Sequence, residues 1–189
     1  MADIFDEVSE ELKNDQLIKT WKKYSKLIIA AVVLLVISLI SYQAYKNWNK
    51  KKIEAIATEY FEAIESLENK NYIKSKKLFL KNLENHEGGY KMLSLFGLAE
   101  SNFKNNRIDE MILNYKTIYD DESIDIYYRN LSRILSVLKN NSASFNEQMV
   151  LLEPIINSPS KLQILAAELK VILLIKFNKI KEAKKAINN

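Results

Sequence analysis

Two patterns of apolar and polar positions divide this chain. Residues 27–44, "LIIAAVVLLVISLISYQA", carry no charge, and only Ser38, Ser41 and Gln43 interrupt their apolar character. From residue 53 onward apolar residues recur at helical spacing, and no stretch alternates convincingly with the period of two that marks a strand. The first pattern predicts one long apolar helix. The second predicts a wholly helical domain.

Length decides what the first helix does. Crossing about 30 Å of hydrocarbon at about 1.5 Å per residue takes roughly 20 residues. A signal-peptide core is shorter, about 7–15 residues, and ends in small residues suited to cleavage. Here the run starts only after residue 26, and nothing like A-x-A follows it. Trp21 and Tyr24 stand before it, and Tyr42, Tyr45 and Trp48 stand at its far edge, as an interfacial aromatic belt requires. The prediction is an uncleaved single-pass transmembrane helix over residues 27–45. A short acidic tail precedes it at residues 1–26, and a basic juxtamembrane segment continues the helix through residues 46–52. In the tail, Ile4, Val8 and Leu12 recur at i+4 beside Phe5, with acids opposite. That pattern is either an amphipathic partner-docking helix or a solvated one.

Residues 53–189 are punctuated by Asn/Lys clusters at residues 69–71, 105–106, 140–141 and 178–179, about 35 residues apart. A 36-residue register aligns Ile56, Met92, Tyr128 and Ile164 in one column, and Phe79, Tyr115, Leu151 and Ile187 in another. It also aligns Ala63, Ala99, Leu135 and Val171, and then Ser75, Met111, Glu147 and Ala183. Each unit reads as helix, Asn/Lys turn, helix, and such hairpins bury their apolar faces by stacking. About four units result, the last truncated, with Phe79, Tyr115, Leu151 and Ile187 all expected in the core. The third unit is the irregular one: Glu147 replaces a small residue, and Pro154 falls where it kinks or ends a helix. Gly88 and Gly89 read as a helix terminator. Ser123, in the acidic "DDES" run, is a candidate cap for the next helix.

Charge and composition narrow the function. Residues 1–26 hold five lysines and six acids, residues 46–52 hold four lysines, and residues 53–189 are nearly balanced. The positive excess therefore sits beside the apolar helix, where it meets anionic headgroups, and not on a nucleic-acid footprint. Flanking charge leaves topology close to a tie, with a lean to the amino terminus inside. The absence of cysteine excludes disulfides and thiol chemistry. Lysine outnumbers arginine 25 to 3, a coding-bias signature with no mechanistic content.

The segments "LFGLAESNF" (95–103) and "NKIKEAKKAI" (178–187), with Pro159 closing the third unit, resemble a degenerate tetratricopeptide (TPR) array. The order of parts resembles the YfgM-like family of single-pass TPR proteins, ancillary subunits of the bacterial Sec translocon. Those parts are "DIFDEVSEELKNDQLIKTWKKYSK", the anchor, and then "YKNWNKKKIEAIATEYFEAIESL". The resemblance implies an all-α fold, a transmembrane helix followed by a TPR-like α-solenoid. It also implies an inner-membrane location with a cytoplasmic amino terminus and a periplasmic domain. The implied partners are translocon subunits and periplasmic chaperones, and the implied function is a scaffold without enzyme activity.

No catalytic constellation is apparent. The one histidine, His86 in "ENHEGGY", has no identifiable triad partner and reads as a turn residue. One histidine without cysteine makes no transition-metal site, three glycines supply neither a Walker nor a Rossmann loop, and "DDES" lacks EF-hand spacing. The expectation is no cofactor, no small-molecule substrate and no nucleic-acid partner. In the TPR resemblance the first helix of each hairpin lines the binding groove, which places Tyr60, Ile64, Phe96, Glu100, Lys104 and Lys139 there. Packing of Tyr60 and Phe96 between units is the competing reading. Rival functions are a TPR coordinator of cell division or envelope assembly, a membrane-anchored hydrolase, and a cytoplasmic adaptor of reversed topology.

Overall fold

The computed structural model describes residues 2–85 and 88–187, with side chains from residue 17 onward except Asn85. His86 and the side chains of residues 1–16, with Ile4, Phe5, Val8 and Leu12 among them, lie outside the described residues. Eight α-helices and no strand occur among them: α1 (Ala2–Glu68), α2 (Tyr72–Asn85), α3 (Gly89–Lys104), α4 (Ile108–Asp120), α5 (Ile126–Lys139), α6 (Phe145–Ile156), α7 (Gln163–Lys176) and α8 (Ile180–Ile187). The chain divides into two units, Met1–Ile53 and Glu54–Asn189.

In the first unit, α1 contains a stretch of mean hydropathy 2.5, with no residue of it buried. By length and composition it can cross a membrane. Leu34, Leu39 and Ile40 are among its exposed side chains. This is a candidate span near the amino terminus.

In the second unit, helices from α2 to α8 pack in chain order, each on the next. The last part of α1 packs on α2, where Tyr60 meets Phe79 with ring centroids 5.8 Å apart. Three hairpin turns share one solution. Lys70, Asn106 and Asn178 adopt φ near +60°. Around the first, the Lys70 N–H donates to the Leu67 carbonyl and the Asn71 N–H to the Ser66 carbonyl. The same pair of bonds recurs around Asn106 and Asn178. These are Schellman motifs, which satisfy the last carbonyls of a helix through one left-handed residue, a conformation that asparagine tolerates better than most.

The third hairpin departs, for a physical reason. Its linker, residues 140–144, is five residues long where the other three have three. The first helix of the unit therefore ends one position early and the second starts one position late. This corrects the 36-residue register: Ile134, not Leu135, is the fully buried residue of its column, and Leu152, not Leu151, joins Phe79 and Tyr115. Gln148, not Glu147, fills the position of Ser75 and Met111. It is buried, and its Nε2 donates to the carbonyls of Asn140 (2.9 Å) and Ala143 (3.3 Å), tying the longer loop. Glu147 is exposed and forms a capping box with Ser144 at the start of α6.

Other expectations are corrected too. Ile187 is 66 % exposed. Its equivalents are buried by the first helix of the following unit: Phe79 by Leu98 of α3, Tyr115 beside Leu135 of α5, Leu152 against Ala166 and Leu169 of α7. No described helix follows α8. Tyr128 and Ile164 are exposed as well. Ile164 is the second residue of α7, and the core contact of that helix begins only at Ala166. Pro154 does not end α6, which runs on to Ile156; the proline sits in the last turn, one position after Glu153, whose carbonyl still accepts from the Asn157 N–H. Gly88 caps the start of α3 at φ 76°; the stretch between it and the end of α2, where Gly88 and Gly89 are expected to act as a terminator, lies outside the described residues. Asp125, not Ser123, caps α5 by accepting from the Tyr127 N–H, while Ser123 donates to Asp121.

Candidate protein-binding face of the first helices

The residues expected in a groove fall in one helical column. Tyr60 is half-buried among Phe61, Phe79 and Tyr90, all within 5.8 Å between ring centroids. Burial, and then Tyr90, push its hydroxyl above the ordinary range. Ile64 packs against the cluster of Ala63, Phe79 and Leu98. Phe96 leans edge-on against Tyr115 at 6.2 Å and packs on the cluster of Leu95, Ala99 and Met111. Tyr60 and Ile64 thus pack between their own hairpin and the next, through Tyr90 and Leu98 of α3, while Phe96 meets Tyr115 of its own hairpin; part of each side chain is left accessible.

The polar members form a cluster of their own. Glu100 of α3 takes an ion pair from Lys104 at 3.8 Å and a closer one from Lys139 of α5. The Lys139 ammonium also lies 4.4 Å from the Phe103 ring centroid. Lys139 thus bridges two successive first helices, as Lys76 of α2 bridges to Glu110 of α4 on the second helices. Burial, then the charge of Glu100, pushes the Tyr115 hydroxyl upward.

Aligning the first helices on their carboxyl-terminal caps extends the column. Tyr60, Ile64 and Leu67 correspond to Phe96, Glu100 and Phe103, then to Leu131, Leu135 and Leu138, and finally to Glu168, Ile172 and Ile175. Exposure grows along it: half-buried in α1 and α3, exposed at Leu138 of α5, and 58 % and 54 % exposed at Ile172 and Ile175 of α7. Ile164 and Leu165 add to the open face of α7, with Glu168 among them. The sequence carried a signal for this face, because "ILAAELKVILLIK" is apolar on more than one side of its helix. A helix with one covered side has apolar residues to spare.

A cleft of about 470 Å³ opens between the start of α3 and the α4–α5 loop, with Met92, Leu95, Ile124 and Tyr128 on its walls. Asp121 there is engaged by the Ser123 hydroxyl and N–H, which hold its carboxyl below the usual range.

In the first unit Trp21, Tyr24, Tyr42, Tyr45 and Trp48 are all exposed on α1, together with Lys46, Lys50, Lys51 and Lys52. Rings and ammonium groups thus flank the apolar stretch.

Over residues 19–189 the chain matches the model of a family described as a tetratricopeptide repeat-like domain. The chain belongs to this tetratricopeptide repeat-like family. The match begins ahead of the apolar stretch, so candidate span and helical hairpins together make up the family's domain. Comparisons with curated proteins and with solved structures gave no match.

Proposed function

We propose that this tetratricopeptide repeat-like protein is a membrane-anchored scaffold, not an enzyme, whose hairpins stack as an α-solenoid and hold other proteins at the bacterial inner membrane. The observation that carries this reading is the open apolar face of α7, where Ile164, Leu165, Ile172 and Ile175 stand exposed on a helix that is covered on its other side. An uncovered apolar stripe on a folded domain fits the apolar face of a partner helix or an unfolded segment. The order of parts, with acidic tail, aromatic-flanked span, lysine collar and hairpins, supports a YfgM-like place beside the Sec translocon. The domain then stands on the periplasmic side with its chaperones and the amino terminus in the cytoplasm. A long domain crosses largely regardless of its own charge, which supports that orientation.

A photo-crosslinking residue placed at Ile172 or Ile175 in intact membranes, followed by mass spectrometry, tests the reading. Translocon subunits or translocating chains are the expected products. Division or peptidoglycan-synthesis proteins would replace the translocon assignment with a divisome one, and absence of any protein adduct would remove the binding role from α7. Alkaline phosphatase fused after Asn189 should be active, and an inactive fusion beside an active cytoplasmic reporter would reverse the topology.

A further inference from the structure

Charge is distributed unevenly along the second unit. Residues 54–68 hold five glutamates and no lysine or arginine, whereas residues 176–187 hold five lysines and one glutamate. Part of this is neutralised within the unit: Glu59 pairs with Lys81, Glu62 with Lys74, and Glu182 with Lys179. Glu65 and Glu68 at one end, and Lys181, Lys184 and Lys185 at the other, have no ion-pair partner among the described residues. Each set borders an uncovered apolar side chain. On α1, Thr58, Phe61, Glu65 and Glu68 share one face by helical spacing, and Phe61 is 63 % exposed. On α8, Ala183 is buried, so Lys181, Lys184 and Lys185 point outward with Ile187 beside them.

We propose that this chain associates with further copies of itself end to end, the acidic face of α1 in one copy docking on the basic face of α8 in the next. The occupant is a second copy because the two faces match. They are opposite in sign, each is one helix wide, and each offers uncovered apolar side chains, Phe61 on α1 and Ile180 and Ile187 on α8. Ile187 also stands where Phe79, Tyr115 and Leu152 are each covered by a following helix. A docked α1 supplies that cover. Such a contact joins different surfaces on the two copies, so it builds rings or chains according to whether the rotation closes.

The test uses the full chain in mild detergent, with light scattering over a concentration series. Association at about 0.1 M salt should weaken about tenfold or more at about 1 M salt, where the reach of exposed charges falls from about 10 Å to about 3 Å. The pair Glu65→Lys and Glu68→Lys should leave monomers, as should the pair Lys184→Glu and Lys185→Glu. Mixed one to one, the two variants should associate again, because each restores the complement of the other; recovery on mixing also shows that both are folded. Should the charge reversals disturb folding, Lys184→Gln with Lys185→Gln should still weaken association relative to the unaltered chain. A monomeric protein at about 100 µM and low salt, or association that survives either reversal in a folded variant, would overturn the proposal.

Discussion

A Cβ added at Gly97 would lie 2.3 Å from Cζ of Phe79, so α2 and α3 approach as closely as they do only because α3 has glycine there. Glycine inside a helix costs about 1 kcal/mol relative to alanine, yet here the substitution should run the other way. Gly97→Ala is expected to destabilise by about 1–3 kcal/mol through overpacking. Phe79→Ala is expected to cost about 3–5 kcal/mol. The two should couple, Gly97→Ala being milder in a Phe79→Leu background, as denaturant unfolding of all four proteins would show. Gly97→Ala raising stability in the unaltered background would contradict the contact. Arginine use carries a similar lesson. Two of the three arginines, Arg129 and Arg133, donate to the Tyr119 carbonyl at the end of α4, and Arg133 also lies 5.2 Å from the Tyr119 ring centroid. Burial, then Arg129, holds the Arg133 guanidinium below its ordinary range, so it is bound at some desolvation cost. Arg133 also donates to Asn130 Oδ1 at 3.1 Å, and a lysine cannot fork between that oxygen and the Tyr119 carbonyl. Arg133→Lys should lose about 1–2 kcal/mol in a thermal or denaturant melt despite conserving charge.

At the scale of elements, the third hairpin is the informative one. Its long linker is held by side chains where the other hairpins rely on a left-handed residue. Ser144→Ala removes the cap of α6 and should cost about 1 kcal/mol. Hydrogen bonds from the Ser144 hydroxyl, then from its N–H, hold the Glu147 carboxyl below 4.5. A carboxylate with a depressed folded pKa stabilises above its unfolded value and loses that contribution as pH falls through the folded one. Glu147→Gln keeps a capping-box geometry without the charge, so the unaltered chain should be the more stable of the two above about pH 5, with the difference disappearing toward lower pH. A gap between them that does not change with pH would argue that the charge is irrelevant to the cap. Lys70→Gly offers the reverse test in the first hairpin, because glycine accepts φ 60° without a Cβ clash. It should be neutral to stabilising by up to about 1 kcal/mol, the left-handed cost of lysine being partly offset by glycine's lost entropy.

For the whole molecule, packing in chain order around three clusters makes the second unit nearest-neighbour coupled. Ala63, Phe79 and Leu98 form one cluster, Leu95, Met111 and Tyr115 belong to a second, and Ile134, Leu152 and Leu169 to a third. Such arrays pass stress mainly to adjacent repeats. Phe79→Ala should therefore raise amide hydrogen exchange in α2 and α3 while leaving α6 and α7 protected. Equal loss of protection in all helices would mean one cooperative core.

What the sequence determined by itself is what local chemistry decides. The uncharged length of residues 27–44, the helical period and the Asn/Lys turns each depend on a few adjacent residues, and each was legible from them. The buried places of Phe79, Tyr115 and Ala99 followed from repetition. The third hairpin was not legible, because a two-residue difference in its linker moves Leu151 and Glu147 off the core positions without altering the apolar character of either helix. Exposure was the other unreadable quantity. Phe96 and Ile172 occupy neighbouring rows of one face and look alike in sequence. One is packed on Tyr115 and the other stands open on α7, because burial belongs to the helix lying opposite, and only the tertiary structure says where that helix is.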